Sequence, residues 1–304
     1  MTTDQPIVVT GANGLVGSAV CRELATRGVP VRAVVRRAGS APQLPGVEEF
    51  VGEFHAPDVA PRVCEGAATV VNTVHPMQDD HLQHTATAWA QTLATAARAA
   101  GVERFVHVST TSVYERKAGT GDVDEHSKLV DDDADDYSVT KRLTEDGVAR
   151  VDGLTRIIVR PTAILGPGET SVWNTVRPEI IRTDEAARRE DPDRTYGFVH
   201  VDDLARLIAD LATGSIALAD DATVGPVAGQ VTTCNAVSGN VTFREYLAPV
   251  AAAVGVEPEW IHKEAFRAKL LAERARAWGW EPQVTFEEGM AELLSGLRER
   301  YGRA

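Results

Sequence analysis

Cysteine is scarce in this chain. Its three cysteines (Cys21, Cys64, Cys234) are scattered, odd in number and without metal-ligand spacing. A disulfide scaffold and a cysteine-based metal site are therefore excluded, no metal is expected, and a reducing compartment fits. Positive charge is also short, with 31 Lys and Arg against 44 Asp and Glu, a net charge of −13. That balance argues against nucleic acid or an anionic membrane surface as partner. No apolar run approaches membrane length, and the opening Met-Thr-Thr-Asp-Gln-Pro lacks the basic n-region of a signal peptide. A cytoplasmic protein acting on a small molecule is the expectation.

What is present begins with a short β-branched run, Pro6-Ile-Val-Val-Thr10, right for a buried strand and too short for a helix. It leads into Gly11-Ala-Asn13-Gly14-Leu15-Val16-Gly17, and then into helical periodicity from Ser18 to Arg27. Strand, glycine turn and helix make a phosphate-binding arrangement. The glycines let the backbone approach a pyrophosphate, and the helix N-terminus supplies free N–H donors and positive dipole charge.

Further strands are expected at 31–35, 47–51, 69–74, 104–109 and 155–160, with a long alanine-rich helix from Asp80 to Ala100 closed by Gly101. Strands alternating with helices at this spacing predict an α/β fold with a doubly wound parallel sheet of Rossmann type. Ligands in such sheets sit at the carboxyl ends of the strands, which draws attention to Thr10, Arg36, Asn72, Ser109, Thr110 and Thr162. Regularity fades after Gly166-Pro-Gly168 and returns with a short strand at 198–201 running into a helix, then a strand near 231–235. Helices are expected at about 243–254 and 264–278, and a last one opens with the capping-box pattern Thr285-Phe-Glu-Glu288. The division expected is a dinucleotide-binding core over 1–165 and a smaller substrate-binding lobe over 166–304, partly interleaved with the core. No internal repeat or linker is visible.

Tyr137-Ser-Val-Thr-Lys141 supplies the chemistry. Residues four apart lie one turn from each other on a helix face. A phenol ionises near pH ~10, and a neighbouring ammonium would lower that value toward a useful range, making an acid/base pair. The acidic run Asp131–Asp136 before it reads as a solvated loop favouring the helix N-terminus.

Taken together, the glycine turn, the hydroxyl run Val108-Ser-Thr-Thr-Ser-Val-Tyr114 and the Tyr-x-x-x-Lys motif resemble the extended short-chain dehydrogenase/reductase superfamily. The resemblance is to the epimerase/dehydratase-like branch with nucleotide-sugar 4-ketoreductases and dihydroflavonol-reductase-like enzymes. It extends through Arg160-Pro-Thr-Ala-Ile-Leu-Gly-Pro-Gly168, Phe198-Val-His-Val-Asp-Asp-Leu-Ala205 and Trp278-Gly-Trp-Glu-Pro282. It implies that Tyr137 is the proton donor, that Lys141 lowers its pKa and holds the nicotinamide ribose, and that Thr110 hydrogen-bonds the developing alkoxide. Ser109 and Thr111 are the fallback hydroxyls, and strand alternation would point Thr110 away from both. Cofactor contacts are expected from Gly11, Asn13, Gly14, Leu15, Val16 and Gly17, from Arg36, Arg37, Glu53 and Phe54, from Asn72, Thr73 and Val74, and from Ser109, Pro161, Thr162, Ala163 and Ile164. On the substrate side stand His75, Thr111, Trp173, Asn174, Arg177 and Tyr196, with Arg177, Arg182 and Arg194 as candidates for a diphosphate. His107 reads as sheet interior and Tyr114 as structural. Glu115, the Asn72-Thr-Val-His-Pro76 loop and Glu53-Phe54 depart from the branch's usual residues.

The coenzyme is read from the second strand. An NAD-binding fold places an acid about twenty residues past the glycine turn to hold the ribose hydroxyls. Here the strand ends in Arg36-Arg37, and no Asp or Glu occurs from Leu24 to Gly46. A guanidinium suits a 2′-phosphate, so NADP(H) is expected ahead of NAD(H). The expectation is an NADP(H)-dependent reductase of a carbonyl, on a nucleotide-linked ketosugar or a natural-product ketone. A nucleotide-sugar epimerase or dehydratase with retained NAD is the alternative, ahead of a non-catalytic dinucleotide sensor. A homodimer is an allowed assembly.

Overall fold

All four residues of β1 (Ile7–Thr10) are buried, and the strand serves two cores at once. Ile7 and Val9 face one helical layer and Val8 the other, the alternation of a strand covered on both sides. The computed structural model describes residues 5–76 and 80–302; residues 1–4 of the polar N-terminus lie outside that range.

After β1 come α1 (Leu15–Thr26), β2 (Val31–Val35), β3 (Val47–Val51), α2 (Ala60–Cys64), β4 (Thr69–Asn72), α3 (Asp80–Ala99) and β5 (Arg104–Val108). Then follow α4 (Asp136–Ala149), β6 (Thr155–Pro161), β7 (Ala163–Leu165), α5 (Arg177–Thr183), β8 (Arg189–Glu190), β9 (Thr195–His200) and α6 (Val201–Thr213). The chain closes with β10 (Val231–Ala236), β11 (Gly239–Thr242), α7 (Phe243–Val254), β12 (Glu259–Trp260), α8 (Glu273–Ala277) and α9 (Phe286–Tyr301). Seven strands form one parallel sheet in the order β10-β6-β5-β4-β1-β2-β3. Strand order reverses between β1 and β4, and such a switch point opens a crevice at the strands' carboxyl ends.

Residues of α1 and α6 (Ala19, Leu24, Leu204, Ile208) pack on one face; α3 and the end of α4 (Leu93, Ala97, Val148) pack on the other. Both α6 and β10 come from the second half of the chain and complete the sheet and its cover. A separate cluster, with Tyr196, Phe198, Phe243, Tyr246 and Leu293, lies under the small sheet β11-β9-β7. Among the described residues no helix is long and apolar enough to cross a membrane.

Two expectations are corrected. Of the helix expected over 264–278 only Glu273–Ala277 forms. The residues before it are drawn out because their backbone groups pair with other segments: Thr195 N–H donates to the Phe266 carbonyl, and Val123 N–H to that of Lys269 (3.0 and 2.8 Å). Conversely, the stretch read as irregular after Gly168 holds a π-helical turn at Val172–Val176 and α5. The Thr285–Glu288 capping box is present, and a second one, Thr242 with Glu245, opens α7.

Candidate active site

Gly11 adopts φ +67°, and a Cβ on Gly17 would lie 2.1 Å from the Gly11 carbonyl oxygen. Only glycine at both positions lets α1 start so close to the turn. Gly14 caps α1 without a side-chain hydrogen bond, and no acid occupies the first turn. Leu15 N–H donates to Thr170 Oγ1 at 3.1 Å, and an acid-free helix N-terminus behind a glycine turn suits a pyrophosphate, so the turn fits a dinucleotide. Gly11, Asn13, Gly14, Leu15, Val16 and Gly17 all line one cleft of about 2010 Å³. That exceeds the ~300–1,000 Å³ of an ordinary small-ligand pocket and leaves room for a cofactor and a substrate together.

At one end of the cleft Arg36 and Arg37 are exposed on its wall, and among the described residues neither forms an ion pair. Glu49, which β3 brings beside the loop after β2, accepts the N–H groups of Gly39 and Ala41 at 2.8 and 3.0 Å. Its carboxylate is thereby held by the loop's own backbone. Glu53 and Phe54 line the cleft as expected, and so do His55 and Trp89, which sequence reasoning missed. Those two rings stack 4.0 Å apart, with Phe54 edge-on to Trp89. The available signal was Trp89 itself, a lone tryptophan in an alanine-rich helix.

Thr73, Val74 and His75 line the cleft, as do Thr162, Ala163 and Ile164. Asn72 and Pro161 do not, which corrects two expected contacts. Asn72 is fully buried, accepting from Thr10 Oγ1 at 2.7 Å and meeting His107 Nδ1 at 3.1 Å. Pro161 ends β6 inside the sheet. His107 is sheet interior, as read from the sequence. Tyr114 is structural, its hydroxyl donating to Asn235 and accepting from Arg160.

Tyr137 lies in the first turn of α4, which Asp135 caps by accepting Ser138 N–H at 3.0 Å. Lys141 follows one turn later, buried, with Nζ donating to the Val108 carbonyl at 2.9 Å. Burial lowers Lys141 to about 8, against the pull of Glu145. Tyr137 is raised above its ordinary value, chiefly by burial and also by Asp135; a hydrogen bond from Thr110 and the charge of Arg116 work against this. The expectation that Lys141 lowers the tyrosine's pKa is therefore corrected: its ammonium is turned to a backbone carbonyl, and the opposing cation is Arg116. The alternation argument for Thr110 is corrected too. β5 ends at Val108, Thr110 caps a 3-10 turn by accepting Ser112 N–H at 3.1 Å, and Ser109, Thr110 and Thr111 all line the cleft. His75 meets the Tyr137 ring edge-on, 5.2 Å between centroids.

On the far side Trp173, Arg177 and Tyr196 line the cleft. Trp173 and Tyr196 stack at 4.9 Å, and the Arg177 guanidinium lies 4.9 Å from the Trp173 ring. Asn174 is corrected: buried, it turns inward to accept Gly166 N–H at 3.0 Å. Arg194 lines the cleft while paired with Glu190, whereas Arg182 lies off it, paired with Glu179. Arg116, two residues past Tyr114, also lines the cleft and was not anticipated.

Residues 7–214 match the model of the NAD dependent epimerase/dehydratase family. The chain belongs to that family. It is an NAD(P)-dependent enzyme of the extended short-chain dehydrogenase/reductase type. Among family relatives, it is 27% identical over 269 residues to a ceramide reductase of Caulobacter vibrioides, covering 84% of this chain and 72% of that protein. It is 31% identical over 174 residues to a 2-alkyl-3-oxoalkanoate reductase of Stenotrophomonas maltophilia, covering 54% of this chain and 52% of the relative. A short-chain dehydrogenase/reductase superfamily protein from Agrobacterium tumefaciens, solved with bound NAD, superposes with a TM-score of 0.76 over 97% of this chain and 98% of its own, at 22% identity. That likeness is one of fold.

Proposed function

We propose that this family member is an NADP(H)-dependent ketoreductase in which Thr110, Tyr137 and Lys141 act on the substrate carbonyl. The observation that carries the reading is that these three side chains share one cleft with the glycine turn, the acid-free N-terminus of α1, and Arg36 and Arg37. When bound, the reduced nicotinamide supplies the hydride for the carbonyl carbon. Tyr137, kept protonated by burial, donates its proton to the carbonyl oxygen. The Thr110 hydroxyl steadies the charge that develops there, where preorganised donors count most. Lys141, one turn along α4 with its Nζ on the Val108 carbonyl, would hold the nicotinamide ribose when the coenzyme is bound. A reductase reading is also supported by the names of the two relatives.

NADPH is favoured because the guanidinium groups at the end of β2 have no carboxylate partner among the described residues, and Glu49 is held by the loop backbone. A ribose 2′-phosphate completes such a site, whereas a ribose hydroxyl needs an acceptor that arginine lacks. The test compares dissociation constants of NADPH and NADH for the wild type and for Arg36→Ala with Arg37→Ala. The wild type should prefer NADPH and the double variant should lose that preference. Equal wild-type affinities, or NAD retained through purification, would replace this reading with an epimerase or dehydratase that recycles its own cofactor. With a substrate in hand, Tyr137→Phe should bind NADPH normally and turn over about 10²–10⁴-fold more slowly.

A further inference from the structure

Arg116 is half-buried in the cleft wall, and its Nη2 donates to Ser112 Oγ at a long 3.3 Å. Among the described residues no carboxylate pairs with it. The charged and titratable groups that face it are Arg194, Asp135 and Tyr137. Asp135 is already engaged, its two oxygens accepting from the N–H and the hydroxyl of Ser138. Arg194 is a second cation, itself paired with Glu190 at 2.9 Å and lying over the Phe243 ring. Burial and the Arg194 charge together pull Arg116 down to about 10. A chain with 44 acids for 31 basic residues has carboxylates to spare, so a cleft guanidinium without one is not explained by shortage. A desolvated cation facing another cation is costly until an anion joins it.

Resting on the reading of Tyr137 as proton donor, we propose that Arg116 binds an anionic group of the substrate, a carboxylate or phosphate carried a few bonds from the reacting carbonyl. Arg116 donates to Ser112, whose N–H donates to Thr110 Oγ1, and Arg116, Thr110 and Tyr137 line the same cleft, so both groups of such a substrate can be met at once. The planar fork of a guanidinium matches the two oxygens of either anion. The substrate class is then a small oxo acid or oxo phosphate, held by its charge at Arg116 and presenting its ketone to Thr110 and Tyr137.

Ligand-observed NMR at constant ionic strength tests this with acetoacetate, its uncharged methyl ester and methyl phosphate. Wild type, Arg116→Gln and Arg116→Lys are compared, each with and without NADPH. At least one anion should bind the wild type about tenfold more tightly than the ester, a difference of ~1.4 kcal/mol. Arg116→Gln should erase that preference and Arg116→Lys keep part of it. The stronger of the two anions identifies the group. An ester that binds as well as both anions, or a preference that survives in Arg116→Gln, overturns the proposal. Should Arg116→Gln fail to fold, phenylglyoxal labelling of the wild type read by mass spectrometry decides instead. The better anion must slow modification of Arg116 and the ester must not; equal labelling refutes the assignment. The cofactor-free arm depends neither on NADPH nor on proton transfer, so a failed coenzyme reading leaves its result standing. Tyr137→Phe should retain the anion preference.

Discussion

A lysine that reaches a backbone carbonyl from inside a core behaves differently from one on a helix surface. Lys141 falls from an ordinary 10.5 to about 8 because burial disfavours its charge. Below pH 8 both folded and unfolded chains carry the proton and the folded state bears the full cost of the buried charge. Between pH 8 and 10.5 the unfolded chain still binds the proton and the folded one has released it, so stability rises with pH by up to about 1.4 kcal/mol per unit. The buried cysteines, raised by burial, act in the opposite sense over the same range, so the measurement is a difference: urea unfolding of the cofactor-free chain at pH 7.5 and 9.5 should change more favourably with pH in the wild type than in Lys141→Met. The Tyr-x-x-x-Lys spacing was legible in the sequence because helix geometry fixes it. The direction in which each pKa moves was not, because burial is decided by segments far away in the chain. For the same reason Asn72 and Pro161, at the ends of β4 and β6, and Asn174, in the π-helical turn, were expected to face the cleft and do not, and Arg116 went unnoticed among the polar residues of its loop.

Elements whose signals are local were read well. The glycine turn, the parallel strands and the Thr285 capping box each depend on a few neighbouring residues. The segment over 264–278 has helical composition but spends its backbone groups on Thr195 and Val123, a tertiary choice with no local mark. The start of α4 shows how an element sets the chemistry it carries. Asp135 caps the helix and also helps keep Tyr137 protonated. Asp135→Ala should lose about 1 kcal/mol of stability and lower the tyrosine's pKa, while Asp135→Asn should keep the cap and change only the pKa. Urea denaturation beside a spectrophotometric titration of the phenol separates the two effects; equal stability of wild type and Asp135→Ala would contradict the capping role.

At the scale of the whole molecule, an edge strand of the sheet, β10, and a covering helix, α6, both come late in the sequence. Alternating strands and helices announce a doubly wound sheet, but an added edge strand that returns from a distant segment announces itself only as one more strand. The result is a single cleft walled by both halves, with a tryptophan toward each end: Trp89 stacked on His55 beside Arg36, and Trp173 stacked on Tyr196 beside Arg177. The other three, Trp260, Trp278 and Trp280, lie off the cleft and form a constant background. Indole emission responds to whatever covers or displaces its stacking partner. On the proposed reading the molecule carries two optical gauges of its own, one for the coenzyme and one for the substrate. Trp89→Phe should remove the fluorescence change on coenzyme binding and Trp173→Phe the change on substrate binding, so the order in which the two ligands arrive can be watched in unlabelled protein.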